Sequence, residues 1–342
     1  MGCIHEFAVW SECLPLKLMF RRAVALSLLS SSSALRMMSS NSRKLSLKVG
    51  VCQVAVTADK SLNIETAARA LDEASGNGAN MIVLPECWNS PYSVACFPEY
   101  AEEVPGVGEI CDPQASPSFS MVCETAKKNG VWVVGGSIPE RDESDGGKLY
   151  NTCLVINPAG EIVGKHRKVH LFDIDIPGKI TFKESDSLSS GDTMTIVDTP
   201  WGGVGVGICY DMRFPEMALL MRQEKGCNIL VYPGAFNMVT GPAHWELLQR
   251  ARAVDNQVFV LTCSPARDTA PDAVYTAWGH STVITPWGEV VQKADSEPAI
   301  IYADLDLKEV DTIRSNIPYW QQKRTDLYSA NLKDKALPKS KI

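Results

Sequence analysis

The run Val204-Gly205-Val206-Gly207-Ile208-Cys209-Tyr210-Asp211-Met212-Arg213-Phe214-Pro215-Glu216 constrains this chain more than any other. An apolar, β-branched stretch stops at a cysteine, and polar residues follow it. Pro215 then stands where a helix would begin, because its missing N–H and fixed φ suit the first helical position. The pattern predicts strand, tight turn and helix, with a thiol at the tip. Such an elbow exposes a nucleophile at the end of a sheet, where backbone N–H groups of the turn face a developing oxyanion. A buried and inert thiol is the plainer reading of a single cysteine.

The surrounding pattern is that of an α/β protein. Leu45, Leu47, Val49 and Val51 alternate with Ser46, Lys48 and Gly50, which predicts a half-buried first strand that Val54 and Val56 extend. Ile64, Ala67, Ala68, Leu71 and Ala74 recur at helical spacing within 63–74, and Met81–Leu84 is a short apolar strand. A helix is expected over 117–128, stopped by Asn129-Gly130. Strands are expected over 131–136, 153–156 and 161–165. Beyond the elbow, helices over 216–225 and 242–254 alternate with strands over 228–232 and 258–263. Three more strands, over 282–285, 290–293 and 299–304, close the body. About ten strands are too many for one ordinary open sheet, so two sheets packed face to face are expected.

The ends differ from this body. Residues 1–44 are Arg- and Ser-rich, and no acidic residue occurs between Glu12 and Asp59. They suit a cleavable mitochondrial or plastid targeting segment, or a disordered extension of a cytoplasmic protein, with working starts open at Met19, Met37 or Met38. Arg21-Arg22 before a short apolar stretch keeps a secretory signal open, although the many scattered thiols favour a reducing compartment. Residues 45–317 form the expected domain, and 318–342 are a polar, basic tail.

Net charge of −7 without a basic stripe argues against nucleic-acid binding. No apolar run is long enough to span a membrane. The eleven cysteines include no CxxC pair, and His166, His170, His244 and His280 lack a zinc pattern, so no metal is expected. Gly203-Val204-Gly205-Val206-Gly207 lacks the third glycine of a dinucleotide fingerprint, and Gly279-His280-Ser281-Thr282 is not a serine-hydrolase elbow. His280 reads as a structural histidine.

Two further segments bear on Cys209. Met81-Ile82-Val83-Leu84-Pro85-Glu86 delivers a carboxylate at a strand end, and His166-Arg167-Lys168-Val169-His170-Leu171-Phe172 carries a lysine after a strand-like stretch. Glu86, Lys168 and Cys209, in that order, resemble the Glu-Lys-Cys triad of the nitrilase superfamily of carbon–nitrogen hydrolases. Three stretches resemble its ω-amidase branch: Leu84–Tyr92, Arg167–Phe182, and Tyr232-Pro233-Gly234-Ala235-Phe236-Asn237. The resemblance spans about residues 45–330 and implies a four-layer α-β-β-α sandwich. It also implies a homodimer paired through helical faces. The helices over 216–225 and 242–254 are the candidates, with Met217, Leu219, Leu220, Met221, Leu247, Leu248 and Val254.

Amide hydrolysis assigns roles to these residues. Cys209 attacks as a thiolate, and its ordinary pKa of about 8.5 requires a base or cation nearby. Glu86 takes the thiol proton, provided burial raises its own pKa, and later activates water. Lys168 and the backbone N–H of Tyr210 face the oxyanion. No organic cofactor is needed for this chemistry. Glu184 resembles the superfamily's second glutamate, which implies that it holds Lys168; an exposed surface glutamate is the rival reading. The branch implies α-ketoglutaramate and α-ketosuccinamate as substrates, with Tyr92, Arg213, Phe236 and Asn237 near the pocket. Arg213 equally suits a brace for the elbow. Other superfamily amidases, acting on deaminated glutathione, nitriles or carbamoyl amines, and a silent nitrilase-like scaffold are the alternatives.

Overall fold

The computed structural model describes residues 43–271 and 273–333; almost all of the proposed targeting segment, and the end of the tail, lie outside the described residues. The chain runs β1 (Ser46–Gln53), α1 (Lys60–Gly76), β2 (Met81–Val83), α2 (Phe97–Tyr100), α3 (Pro117–Asn129), β3 (Trp132–Val134), β4 (Ile138–Asp142), β5 (Lys148–Ile156) and β6 (Ile162–Arg167). It continues β7 (Asp173–Ile176), β8 (Ile180–Lys183), β9 (Thr195–Thr199), β10 (Gly202–Val206), α4 (Pro215–Lys225), β11 (Ile229–Pro233), α5 (Gly241–Asn256) and β12 (Phe259–Cys263). β13 (Thr282–Ile284), β14 (Val290–Lys293), β15 (Ala299–Asp306) and α6 (Lys308–Asn316) complete it.

Two sheets form the centre. One runs β15-β1-β2-β3-β5-β4, with β6 also on β5; the other runs β14-β13-β12-β11-β10-β9. Each has a parallel core of three strands, β1-β2-β3 and β10-β11-β12. Their inner faces share one apolar core, where Val49, Val51 and Val155 meet Val204, Val231 and Leu261. On the outer face of the first sheet, Ile82, Val133 and Leu154 pack against Leu71 of α1 and Phe119 and Val122 of α3. On the second sheet α4 covers β10 and α5 covers β12. This is the expected four-layer α-β-β-α sandwich.

Local chemistry explains the elements. Asp59 caps α1 by accepting from the Leu62 N–H at 3.1 Å. Gly130 ends α3 in the left-handed conformation, at φ 64°. The first strand is more than half-buried: Gly50 and Cys52 of its second face are buried too, because α1 covers them, while Leu45 and Ser46 at its start are exposed. A Cβ on Gly50 would stand 3.1 Å from Ala74 of that helix. Among the described residues there are fifteen strands, four beyond the eleven marked in the sequence. The additions are β4, β9 and the separate hairpin β7–β8. Beyond α6, residues up to 333 lie partly against α4, where Gln223 donates to the carbonyl of Ala330 at 3.2 Å.

Candidate active site

Four segments converge at one end of the sandwich. Past β2, Glu86 sits in a turn held against Ser137, whose hydroxyl accepts from the Cys87 N–H at 3.2 Å and whose N–H donates to Pro85 at 3.0 Å. Lys168 follows β6, and its backbone is pinned to Asn151 and Gly191 at 2.8 Å each. Glu184 opens the short turn after β8. Cys209 begins the turn between β10 and α4. Cys87 and Cys209 adopt φ of 48° and 47°, a conformation uncommon outside glycine.

The side chains form one dry network. Lys168 Nζ donates to Glu86 Oε1 at 2.9 Å and to Glu184 Oε1 at 2.8 Å, and all three side chains have no solvent exposure. Glu86 Oε1 also accepts from Asn151 Nδ2 at 2.9 Å, and Oε2 accepts from the Ala235 N–H at 2.8 Å. Glu184 Oε1 accepts from the Tyr92 hydroxyl at 2.6 Å, and Oε2 accepts from the Phe172 N–H at 2.7 Å. Glu184 is therefore the buried partner of Lys168, not a surface residue.

These contacts set the protonation states. Burial raises the Glu86 carboxyl above the ordinary glutamate range, and Glu184 adds to the rise against the pull of Lys168. Burial alone would lower Lys168, but Glu184 and Glu86 outweigh it and keep the ammonium charged. Burial pushes the Cys209 thiol well up, and the repulsion of Glu86 adds to the rise. The resting cysteine is therefore a thiol.

Cys209 is 3% exposed, which corrects the expectation of a thiol standing open at the sheet end. The elbow is packed from both sides. A Cβ on Gly207 would come within 2.7 Å of the Tyr232 ring, and one on Gly234 within 3.1 Å of the Cys209 Cα. Asp211 locks the turn: its carboxylate accepts from the N–H groups of Ile208 and His170 at 2.9 Å each. His166 and His170 approach the same carboxylate at 3.0 and 2.8 Å. Burial would raise Asp211, yet the bonds from His166 and His170 hold it well below the usual carboxylate range. The two histidines thus brace the elbow. Among the described residues no cluster of ligands is suited to a metal ion.

A cavity of about 260 Å³ opens beside Glu86 and is lined also by Cys87, Tyr92, Ala235 and Tyr275. Of the four residues expected near the pocket, Tyr92 lines this cavity; Phe236, Asn237 and Arg213 do not. Asn237 Oδ1 instead accepts from the N–H groups of Val239 and Thr240 at 2.9 Å each, ahead of α5. Arg213 lies over the Phe236 ring at 4.7 Å and the Tyr210 ring at 5.4 Å. Its carbonyl accepts from Arg252 at 3.0 Å, so its backbone does brace the turn. Asn151, Tyr275 and Asp211 were not singled out from sequence. His280 is structural, with Nδ1 3.1 Å from the Ala294 carbonyl oxygen.

The carbon-nitrogen hydrolase family model matches residues 48–315. The omega-amidase NIT2 of Danio rerio is 55% identical over 284 residues, covering 83% of this chain and 97% of the relative. The chloroplastic omega-amidase of Arabidopsis thaliana is 54% identical over 280 residues, covering 82% of this chain and 73% of the relative. Among solved structures, Saccharomyces cerevisiae Nit3, of the nitrilase superfamily, superposes with a TM-score of 0.73 at 42% identity. That alignment covers 82% of this chain and 98% of the yeast protein. By the span of the match and by the two-sheet sandwich alike, the chain belongs to the carbon-nitrogen hydrolase family.

Proposed function

We propose that this chain is an ω-amidase, converting α-ketoglutaramate and α-ketosuccinamate to the 2-oxo dicarboxylate and ammonia through a thioester at Cys209. The observation that carries the reading is the fully buried Lys168 ammonium bonded to both Glu86 and Glu184, whose charges act on the Cys209 thiol. The names of relatives at about 54% identity support the substrate class. Cys209 Sγ attacks the amide carbon as Glu86 accepts its proton. The oxyanion forms against Lys168 and the Tyr210 N–H, donors of a type worth roughly 10²–10³ in rate each. Collapse breaks the C–N bond, and Glu86 returns the proton to the leaving ammonia. Water, deprotonated by Glu86, then cleaves the thioester. Arg213 has no carboxylate partner among the described residues, which supports it as the counter-charge for the distal carboxylate.

The same reading includes a homodimer. In α4, Met217 and Met221 are buried in the protomer's own core and Leu220 packs against it, so they drop out of the candidate face. Leu247 and Val254, 65% and 48% exposed, remain on α5. Light scattering at micromolar concentration should report the dimer, and a monomer would refute it. The hydrolase domain is read as 45–317 with 318–342 as tail, and 1–44 as an organellar targeting segment. A fluorescent fusion of residues 1–44 that stays cytosolic would contradict the targeting.

Ammonia release tests the activity. With α-ketoglutaramate, deaminated glutathione, a simple nitrile and a carbamoyl amine compared side by side, kcat/KM should be highest for α-ketoglutaramate. A preference for deaminated glutathione would overturn the assignment.

A further inference from the structure

Away from the site, Cys111 and Cys123 place their sulfurs 3.7 Å apart. Cys123 lies on α3, and Cys111 lies in the loop that precedes that helix. We propose that Cys111 and Cys123 are an oxidisable dithiol, a modification site at which a hydroperoxide forms a reversible disulfide.

Geometry, freedom and access support this together. A disulfide needs about 2.05 Å between sulfurs, so closure asks for roughly 1.7 Å of movement. The loop can supply it, because neither Ile110 nor Cys111 makes a backbone hydrogen bond with another described residue. A cavity of about 760 Å³ opens onto the pair, lined also by Ile110, Ser120, Lys127 and Gly160. Ile110 beside it is 93% exposed.

The chemistry also separates Cys111 from the other buried thiols and from its partner, since the bond to Cys111 and then burial push Cys123 upward. The hydrogen bond from Cys123 draws the Cys111 thiol below the ordinary cysteine range, against burial, which would raise it. Burial pushes Cys52, Cys87, Cys153, Cys209, Cys227 and Cys263 upward instead. Peroxide oxidation selects thiolate character, which points to Cys111, and the cavity lined by both cysteines supplies the approach to its largely buried sulfur. The Cys111 thiolate attacks one peroxide oxygen, giving a sulfenic acid and releasing hydroxide. Cys123 sulfur then displaces the sulfenic oxygen, also as hydroxide. The two thiol protons convert both hydroxides to water. Two thiols are oxidised to one disulfide, and one hydrogen peroxide is reduced to two waters.

The test treats the reduced full-length protein with about one equivalent of hydrogen peroxide, blocks remaining thiols, and maps peptides by mass spectrometry without reduction. The Cys111 and Cys123 peptides should appear joined, short of two hydrogens, and should separate after dithiothreitol. Under the same dose Cys209 should remain alkylatable. In Cys123→Ser the bridge should vanish, and dimedone should label Cys111. If both cysteines stay free at a dose that oxidises Cys209, or if Cys111 joins a different cysteine, the proposal fails. The wild-type map alone decides this, even where the variant folds poorly.

Discussion

One strand, β6, feeds two charge clusters that behave differently. Side chains alternate along a strand, so Lys165 and Arg167 reach one side, and His166 with the following Lys168 the other. On the first side, Lys165 and Arg167 both reach Glu140 Oε1 at 2.6 Å, and Arg167 also bonds Asp142 at 2.6 Å. Two cations face two carboxylates there, and the cations are 18% and 25% exposed. Asp142 is correspondingly held down to about 2, by its bond from Ser144 and then by Arg167. On the second side one cation faces two carboxylates, none of the three side chains is solvent-exposed, and a thiol stands nearby. The first cluster is balanced and holds structure. The second carries surplus negative charge in a buried place, which raises the Glu86 carboxyl and the Cys209 thiol together.

The comparison breaks most easily at Lys168. Under the proposed mechanism, in which the ammonium acts on the oxyanion and not on the resting amide, Lys168→Ala should lower kcat by roughly 10²–10³ with little change in KM. Steady-state kinetics showing a raised KM alone would make Lys168 a binding residue. The matching change on the other side is Glu140→Gln. It should cost about 2–3 kcal/mol of stability by leaving two cations without their shared partner, while kcat stays near wild type. Urea unfolding with parallel kinetics measures both, and a variant as stable as wild type would deny the cluster its structural role.

A third difference is in pH dependence. Glu86 must be ionised to act as base, and burial has raised its pKa. Activity should therefore fall as pH drops through that raised value, by about tenfold per unit at the limb. Glu184→Gln removes a repulsion that raises Glu86, so the acid limb should move to lower pH. A pH–rate profile with the limb unmoved would show that the two carboxylates are not coupled.

Much of this was legible in the residues. The parallel strands are short apolar runs with glycine or proline at their ends, and the elbow declares itself in the break from Ile208 to Cys209. β4 was not legible, because Pro139 and three charged residues read as loop. It survives at the sheet edge, paired with β5 on one side and bridged by Glu102 on the other. The hairpin β7–β8 was hidden because every residue in it is exposed or half-buried, so no core face marks it. Asn151 could not be found from sequence, since its bond to Glu86 joins residues 65 positions apart. Asp211 stood inside the quoted elbow, but nothing local says that a carboxylate there turns inward to two histidines and two backbone N–H groups. The burial of Cys209 belongs to the same class. It depends on Tyr232, Gly234 and Trp245 arriving from elsewhere in the chain, with Tyr232 packed on Gly207 of the elbow.

Two thiols at positive φ border the site, and the account rests on one of them. Cys87 follows Glu86 in the chain and lines the cavity, whereas Cys209 begins the turn between β10 and α4. Ammonia release from α-ketoglutaramate by Cys209→Ala and Cys87→Ala, with circular dichroism to confirm folding, separates them. The account predicts no turnover above background for Cys209→Ala and retained turnover for Cys87→Ala. A folded Cys209→Ala that still releases ammonia at an appreciable rate would contradict it.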